Sequence, residues 1–243
     1  MKSRKRTARI AGALFWVAGV GAPFSLVYVP GKVTVRGDAA ATARNILAHE
    51  GLFELNIFAH LWSLVFFMLA VMVLYQLLSP VGKSRAALMV VFALVSLPIS
   101  FLSVLADVGI LVLLRGGDFL ASFSRTQIEA LAHFLLIMRG ETLLVAQIFW
   151  GLWLLPFAML IMRSRFLPRI LGVLLIPNGI AYPLMSLTGL FFAAYYDVVS
   201  RAMLPALLGE VWVHLWLIIK GTRDVPVEDG DHRLAPTAAA ESA

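Results

Sequence analysis

The sequence predicts an all-α fold, a polytopic bundle of six transmembrane helices with both termini cytoplasmic. Three observations predict it. Six stretches approach bilayer length almost without charge: 22 uncharged residues between Arg9 and Lys32, 28 between Glu54 and Lys83, 21 between Arg85 and Asp107, 21 between Glu141 and Arg163, 27 between Arg169 and Asp197, and 202–219, interrupted only by Glu210. About 20 apolar residues cross the hydrocarbon, and a helix satisfies its own backbone there. The chain is 60% hydrophobic and only 14% charged, against about one quarter charged in soluble domains. With the N-terminus inside, 13 of the 20 basic residues fall on the cytoplasmic side, and the N-terminus and inner loops carry no acid. That asymmetry sets orientation.

The expected spans are 10–30, 53–78, 86–112, 141–162, 170–194 and 202–219, in one domain covering 1–221. The first is rich in Ala and Gly, which lets helices approach closely. Lys2 to Arg9 looks like the start of a signal peptide, but the apolar stretch is too long and no cleavage site ends it. In the first outer loop Asp38 is a good N-cap for a short helix over 39–49, and Gly51 is a good stop. Ser79-Pro80-Val81-Gly82 turns the chain between spans two and three, and Pro98 predicts a kink in the third. Thr126-Gln127-Ile128-Glu129 reads as a capping box opening an amphipathic helix to Met138, with Arg139-Gly140-Glu141 leading into span four. Gly172, Gly179, Ser186 and Ala193 give span five a smooth stripe, and Pro177 and Pro183 bend it. The tail, 222–243, has Pro, Ala and acids without apolar periodicity, which predicts disorder in the cytoplasm.

Several segments resemble a known family. They are Lys5-Arg6-Thr7-Ala8-Arg9-Ile10-Ala11-Gly12, then Gly37-Asp38-Ala39-Ala40-Ala41-Thr42-Ala43 with Asn45-Ile46-Leu47-Ala48-His49-Glu50. Leu167-Pro168-Arg169-Ile170-Leu171-Gly172 and the closing Pro205-Ala206, Glu210 and Leu215-Trp216-Leu217-Ile218-Ile219-Lys220-Gly221 complete the set. Together they resemble the bacterial membrane proteins grouped as domain of unknown function 4386, over nearly the whole chain except the tail. The resemblance implies a multi-helix integral membrane protein and no activity, since the family has none assigned.

An ionisable group inside a membrane helix is costly and marks function by default. Glu210 sits halfway along span six, with His214 one turn later on the same face. The pair is a candidate proton or cation site, and His60 in span two could join it if the helices adjoin. The alternative is a buried carboxyl that fixes packing and a satisfied core histidine. On the outer side His49, Glu50 and Glu54 precede span two, and Glu129 and His133 form an i, i+4 pair. His and carboxylate ligands suit zinc, but no H-E-x-x-H spacing is present, and a solvated charged surface explains them as well. Asp107, Arg115, Arg139, Glu141, Asp197 and Arg201 lie near outer helix ends, where interfacial ion pairs account for them.

With no Cys there are no disulfides and no thiolate ligands. No P-loop, dinucleotide fingerprint or nucleophile elbow occurs. The pI of about 10.0 comes from basic residues flanking apolar segments, so nucleic acid is not an expected partner. The lipid bilayer is one. The expectation is a multi-pass protein of the bacterial cytoplasmic membrane that binds or transports a small solute, ion or lipid. The alternatives are an outer-leaflet metal-dependent enzyme and an accessory subunit docking a membrane partner or a second copy.

Overall fold

The computed structural model describes residues 2–223; residues 224–243 of the expected tail lie outside that range. Helix α1 (Lys2–Pro23) continues through a π-helical turn (Phe24–Tyr28) into α2 (Val29–Val33). Next come α3 (Ala39–Ala48), α4 (Glu50–Leu78) and α5 (Lys83–Arg115). After a 3₁₀ turn (Asp118–Leu120) follow α6 (Arg125–Leu152), α7 (Leu154–Arg163), α8 (Arg169–Phe191) and α9 (Ala193–Ile219). Among the described residues six helical runs are long and apolar enough to cross a membrane. The protein is an all-α, multi-pass membrane bundle in contact with lipid.

The spans form a ring in chain order. α1 packs on α4, α4 on α5, α5 on α6, α6 and α7 on α8, α8 on α9, and α9 returns to α1. Short connections favour antiparallel neighbours, and small residues close the ring. A Cβ on Gly12 would stand 2.8 Å from the Ile218 nitrogen, and one on Gly21 would stand 2.5 Å from the Ala59 carbonyl oxygen. Glycine therefore sets the α1–α9 and α1–α4 distances.

Both described ends of the chain lie on one face, here the terminal face. The Arg223 N–H donates to the Phe166 carbonyl (2.8 Å), and the Arg4 guanidinium covers the Phe166 ring at 4.9 Å. The half of the bundle near this face holds the main apolar core, from Ala8, Ala11 and Phe15 through Leu74 and Met89 to Trp153, Phe157, Leu175 and Leu217. A smaller core near the opposite face joins Val29, Val33, Ile46, Phe53, Ile110 and Leu114. Helix α9 belongs to the first only. Its buried residues are Gly209, Val213 and Leu217, and none lies between positions 193 and 208.

Local signals account for the ends and breaks. Asp38 caps α3 as expected, accepting from the Ala41 N–H at 2.7 Å. Gly51 does not stop that helix. His49 does, with its backbone N–H on Asn45 and Ile46, and Gly51 lies inside α4. The capping box is Ser124 with Gln127, two residues earlier than the sequence pattern suggested. No break occurs at Arg139-Gly140-Glu141, because α6 runs unbroken from Arg125 to Leu152. The interruption comes at Trp153, where Pro156 lacks the N–H that would bond the Leu152 carbonyl.

Candidate functional site

Among the described residues two carboxyls stand out within the bundle, Asp107 fully buried and Glu210 half-buried, in different surroundings. The first is Asp107 on α5, completely buried. The Asn56 Nδ2 of α4 donates to it at 3.1 Å and the Arg139 Nε of α6 at 2.9 Å. The other arm of Arg139, Nη2, donates to the Ser25 carbonyl at 2.7 Å. Four segments thus meet on one ion pair.

The Ser25 carbonyl is free for a local reason. In the π turn the Val29 N–H bonds to the Phe24 carbonyl, five residues back. The next bond in that register would run from residue 30 to Ser25, and residue 30 is Pro30, which has no N–H. A π turn and a proline together leave one backbone acceptor, and Arg139 takes it. The pair stands 24 residues along α5 from Lys83, roughly 36 Å of helix. It lies toward the opposite face but inside protein. The expectation of interfacial pairing fails for these two residues. Each extends from a helix interior rather than an end, and Arg139 is only 6% exposed.

The second carboxyl is Glu210 on α9, ten residues before Lys220, or roughly 15 Å of helix. That is about half the hydrocarbon thickness of about 30 Å. Its side-chain partners are Asn178 and Tyr182, one turn apart on α8. Asn178 also donates to the Leu207 carbonyl at 3.4 Å, and its Oδ1 has no partner. The Tyr182 ring meets Trp150 of α6 edge to face at 5.9 Å. Gly209, beside Glu210, lies against the Leu174 carbonyl, where a Cβ would collide. Glycine at that position draws α9 close enough for Glu210 to reach α8.

His214 shares the Glu210 helix but faces α1. Its ring stacks on Phe15 at 3.9 Å between centroids, and Phe15 stacks in turn on Trp153. His60 sits with the first carboxyl instead. It is one turn from Asn56 on α4, buried, within reach of the Arg139 charge, and its Nδ1 has no partner. The three membrane candidates therefore divide among three neighbourhoods.

The five candidates near the opposite face do not gather into one cluster either. Arg115 Nε bonds Glu50 at 2.5 Å, and its Nη2 bonds Glu54. Glu129 pairs with Arg125 at 2.9 Å, and the His49 ring contacts its own Asn45 carbonyl. The His133 Nδ1 is buried without a partner. Among the described residues no group of three or more His, Asp or Glu is arranged to hold a metal.

Sequence reading did not single out Asn56, Asn178 or Tyr182, nor the burial of Asp107 and Arg139. Asn178 and Tyr182 carried a readable signal, two hydrogen-bonding side chains at i, i+4 in an uncharged span. Asn56, four residues before His60, carried the same one.

No curated protein and no solved structure matches the chain. The model of one family matches residues 10–221, which takes in both carboxyls and all six spans but the first residues of α1. The chain belongs to the family described as Domain of unknown function (DUF4386).

Proposed function

We propose that the protein binds or transports a small solute by loading and releasing a proton or small cation at Glu210. In this reading it resides in the bacterial cytoplasmic membrane with both termini inside, the side on which its basic residues concentrate. One observation carries the proposal. Glu210 stands ten residues before Lys220, at the end of the last span, which by helix rise is about half the hydrocarbon thickness, and has two neutral partners, Asn178 and Tyr182. A carboxyl there costs roughly 2.5–3.5 kcal/mol to insert. Among the described residues no cation pairs with it, so its charge is balanced by a proton or by a cation that comes and goes. The prolines at 177, 183 and 205 within α8 and α9 support a site between bent helices, as in many transporters.

The test uses purified protein in liposomes containing a pH-sensitive dye, under an imposed potassium diffusion potential. Wild-type protein is expected to carry protons into the lumen, and Glu210→Gln is expected not to, while eluting as the same monodisperse species. Equal proton flux through both proteins would overturn the assignment.

A further inference from the structure

The terminal face carries a recess unrelated to either carboxyl. It measures about 540 Å³ and is lined by Lys5, Arg6, Arg9, Ile10 and Ala13 of α1. Lys5, Arg9 and Ala13 follow at i, i+4 and i+8, and Arg6 and Ile10 form the adjoining ridge. The recess is therefore cationic at the helix start and apolar one turn further into the membrane. Arg9 is held in place by donating from Nη2 to the Ile219 carbonyl at 3.2 Å, which leaves its remaining N–H groups available. Gly221, in the left-handed region at φ +66, brings the end of α9 beside Lys5.

This concentration of positive charge has no internal counterpart. Among the described residues no carboxylate pairs with Lys5, Arg6 or Arg9. The first acid in the sequence is Asp38, and the first turn of α1 has no acid to offset the positive end of the helix dipole. A second recess, of about 370 Å³, repeats the composition with Gly82, Lys83, Ser84, Arg85 and Leu88.

We propose that the α1 recess binds the headgroup of an anionic phospholipid from the adjoining leaflet. The phosphate lies among Lys5, Arg6 and Arg9, and the start of an acyl chain lies against Ile10 and Ala13. Charge complementarity selects an anion. The apolar half, continuous with the lipid-facing side of α1 where Ile10 is exposed, selects a lipid over a free phosphate.

The experiment is native mass spectrometry of the full-length protein offered equal amounts of phosphatidylglycerol and phosphatidylcholine. Wild-type protein is expected to retain phosphatidylglycerol selectively. Replacing Lys5, Arg6 and Arg9 together by Gln is expected to cut that retention at least about tenfold and to leave phosphatidylcholine unchanged. Because those charges also guide insertion, a second variant, Ala13→Trp, fills the apolar half with all charges intact and is expected to lose the selectivity too. Equal retention of the two lipids by wild-type protein would overturn the proposal, as would undiminished phosphatidylglycerol on both variants. So would displacement of the lipid by equimolar glycerol phosphate, which would mean that the site reads phosphate alone. Selectivity that emerges only after residues 224–243 are deleted would assign the recess to the acidic tail and overturn it as well.

Discussion

Asp107 and Glu210 are both carboxylic acids inside one bundle, and what separates them first is the charge set against each. Asp107 has a guanidinium against it at 2.9 Å, and that guanidinium is itself tied to the Ser25 carbonyl. Glu210 has an amide and a phenol. The first arrangement is internally neutral and joins α1, α4, α5 and α6. Neither partner can leave without stranding a buried charge. The second involves only α8 and α9 and is neutral only when something else supplies the positive charge. A compensated carboxyl fixes architecture, whereas an uncompensated one at mid-bilayer can exchange its counter-charge. The surrounding helices follow the same division. Around Asp107 α5 buries Ser103, Val104, Ile110 and Leu111 and α4 buries Asn56 and His60, while α9 has no buried residue before Gly209.

Breaking the compensated side should have the largest effect. Arg139→Ala leaves Asp107 buried without its cation and is expected to cost about 3–5 kcal/mol, read as a large drop in the unfolding midpoint in detergent. The double variant Asp107→Leu with Arg139→Met removes both charges and is expected to recover most of that loss. A double variant as unstable as Arg139→Ala would mean the pair does more than neutralise itself.

On the uncompensated side stability and activity should separate. Glu210→Gln keeps the shape and the contacts to Asn178 and Tyr182, so its stability change is expected to stay within about 1 kcal/mol, while proton flux in liposomes is lost. A collapse in stability there would make Glu210 a second clamp and erase the contrast.

His214→Phe tests whether the histidine belongs with Glu210 or with the aromatic column. The ring stacked on Phe15 is replaced by one of similar volume, so a stability change within about 1.5 kcal/mol is expected, with flux retained. Lost flux at unchanged stability would restore His214 as a partner of Glu210. The smallest effect is expected at the exposed Arg115 contacts. Arg115→Gln should leave the unfolding midpoint unchanged within error, because exposed ion pairs contribute little.

The two sites were unequally legible in the sequence. Glu210 announced itself, since an acid inside an apolar run is costly wherever the helix packs. Asp107 and Arg139 did not, because Asp107 bounds one uncharged stretch and Arg139 lies just outside another, and charges at such places ordinarily face headgroups. Only the continuation of α6 through Gly140, with the extension of α5 to Arg115, buries them. The π turn was equally hidden. Pro30 is visible, but the carbonyl it helps free gains meaning only when Arg139 arrives from 114 residues away.

The sequence by itself determined the helical class, the six spans, the Asp38 cap and the family resemblance. Those follow from hydropathy, local hydrogen bonding and motif identity, which act over one to two dozen residues. Tertiary structure alone decided that the spans close into a ring, that Asp107 meets Arg139, and that Glu210 faces Asn178 and Tyr182 while His214, one turn away, faces Phe15. Side chains a turn apart point to the same side of a helix, but a helix in the ring has two neighbours. Which neighbour each side chain meets is fixed by how closely the backbones approach, and here Gly12, Gly21 and Gly209 set that approach.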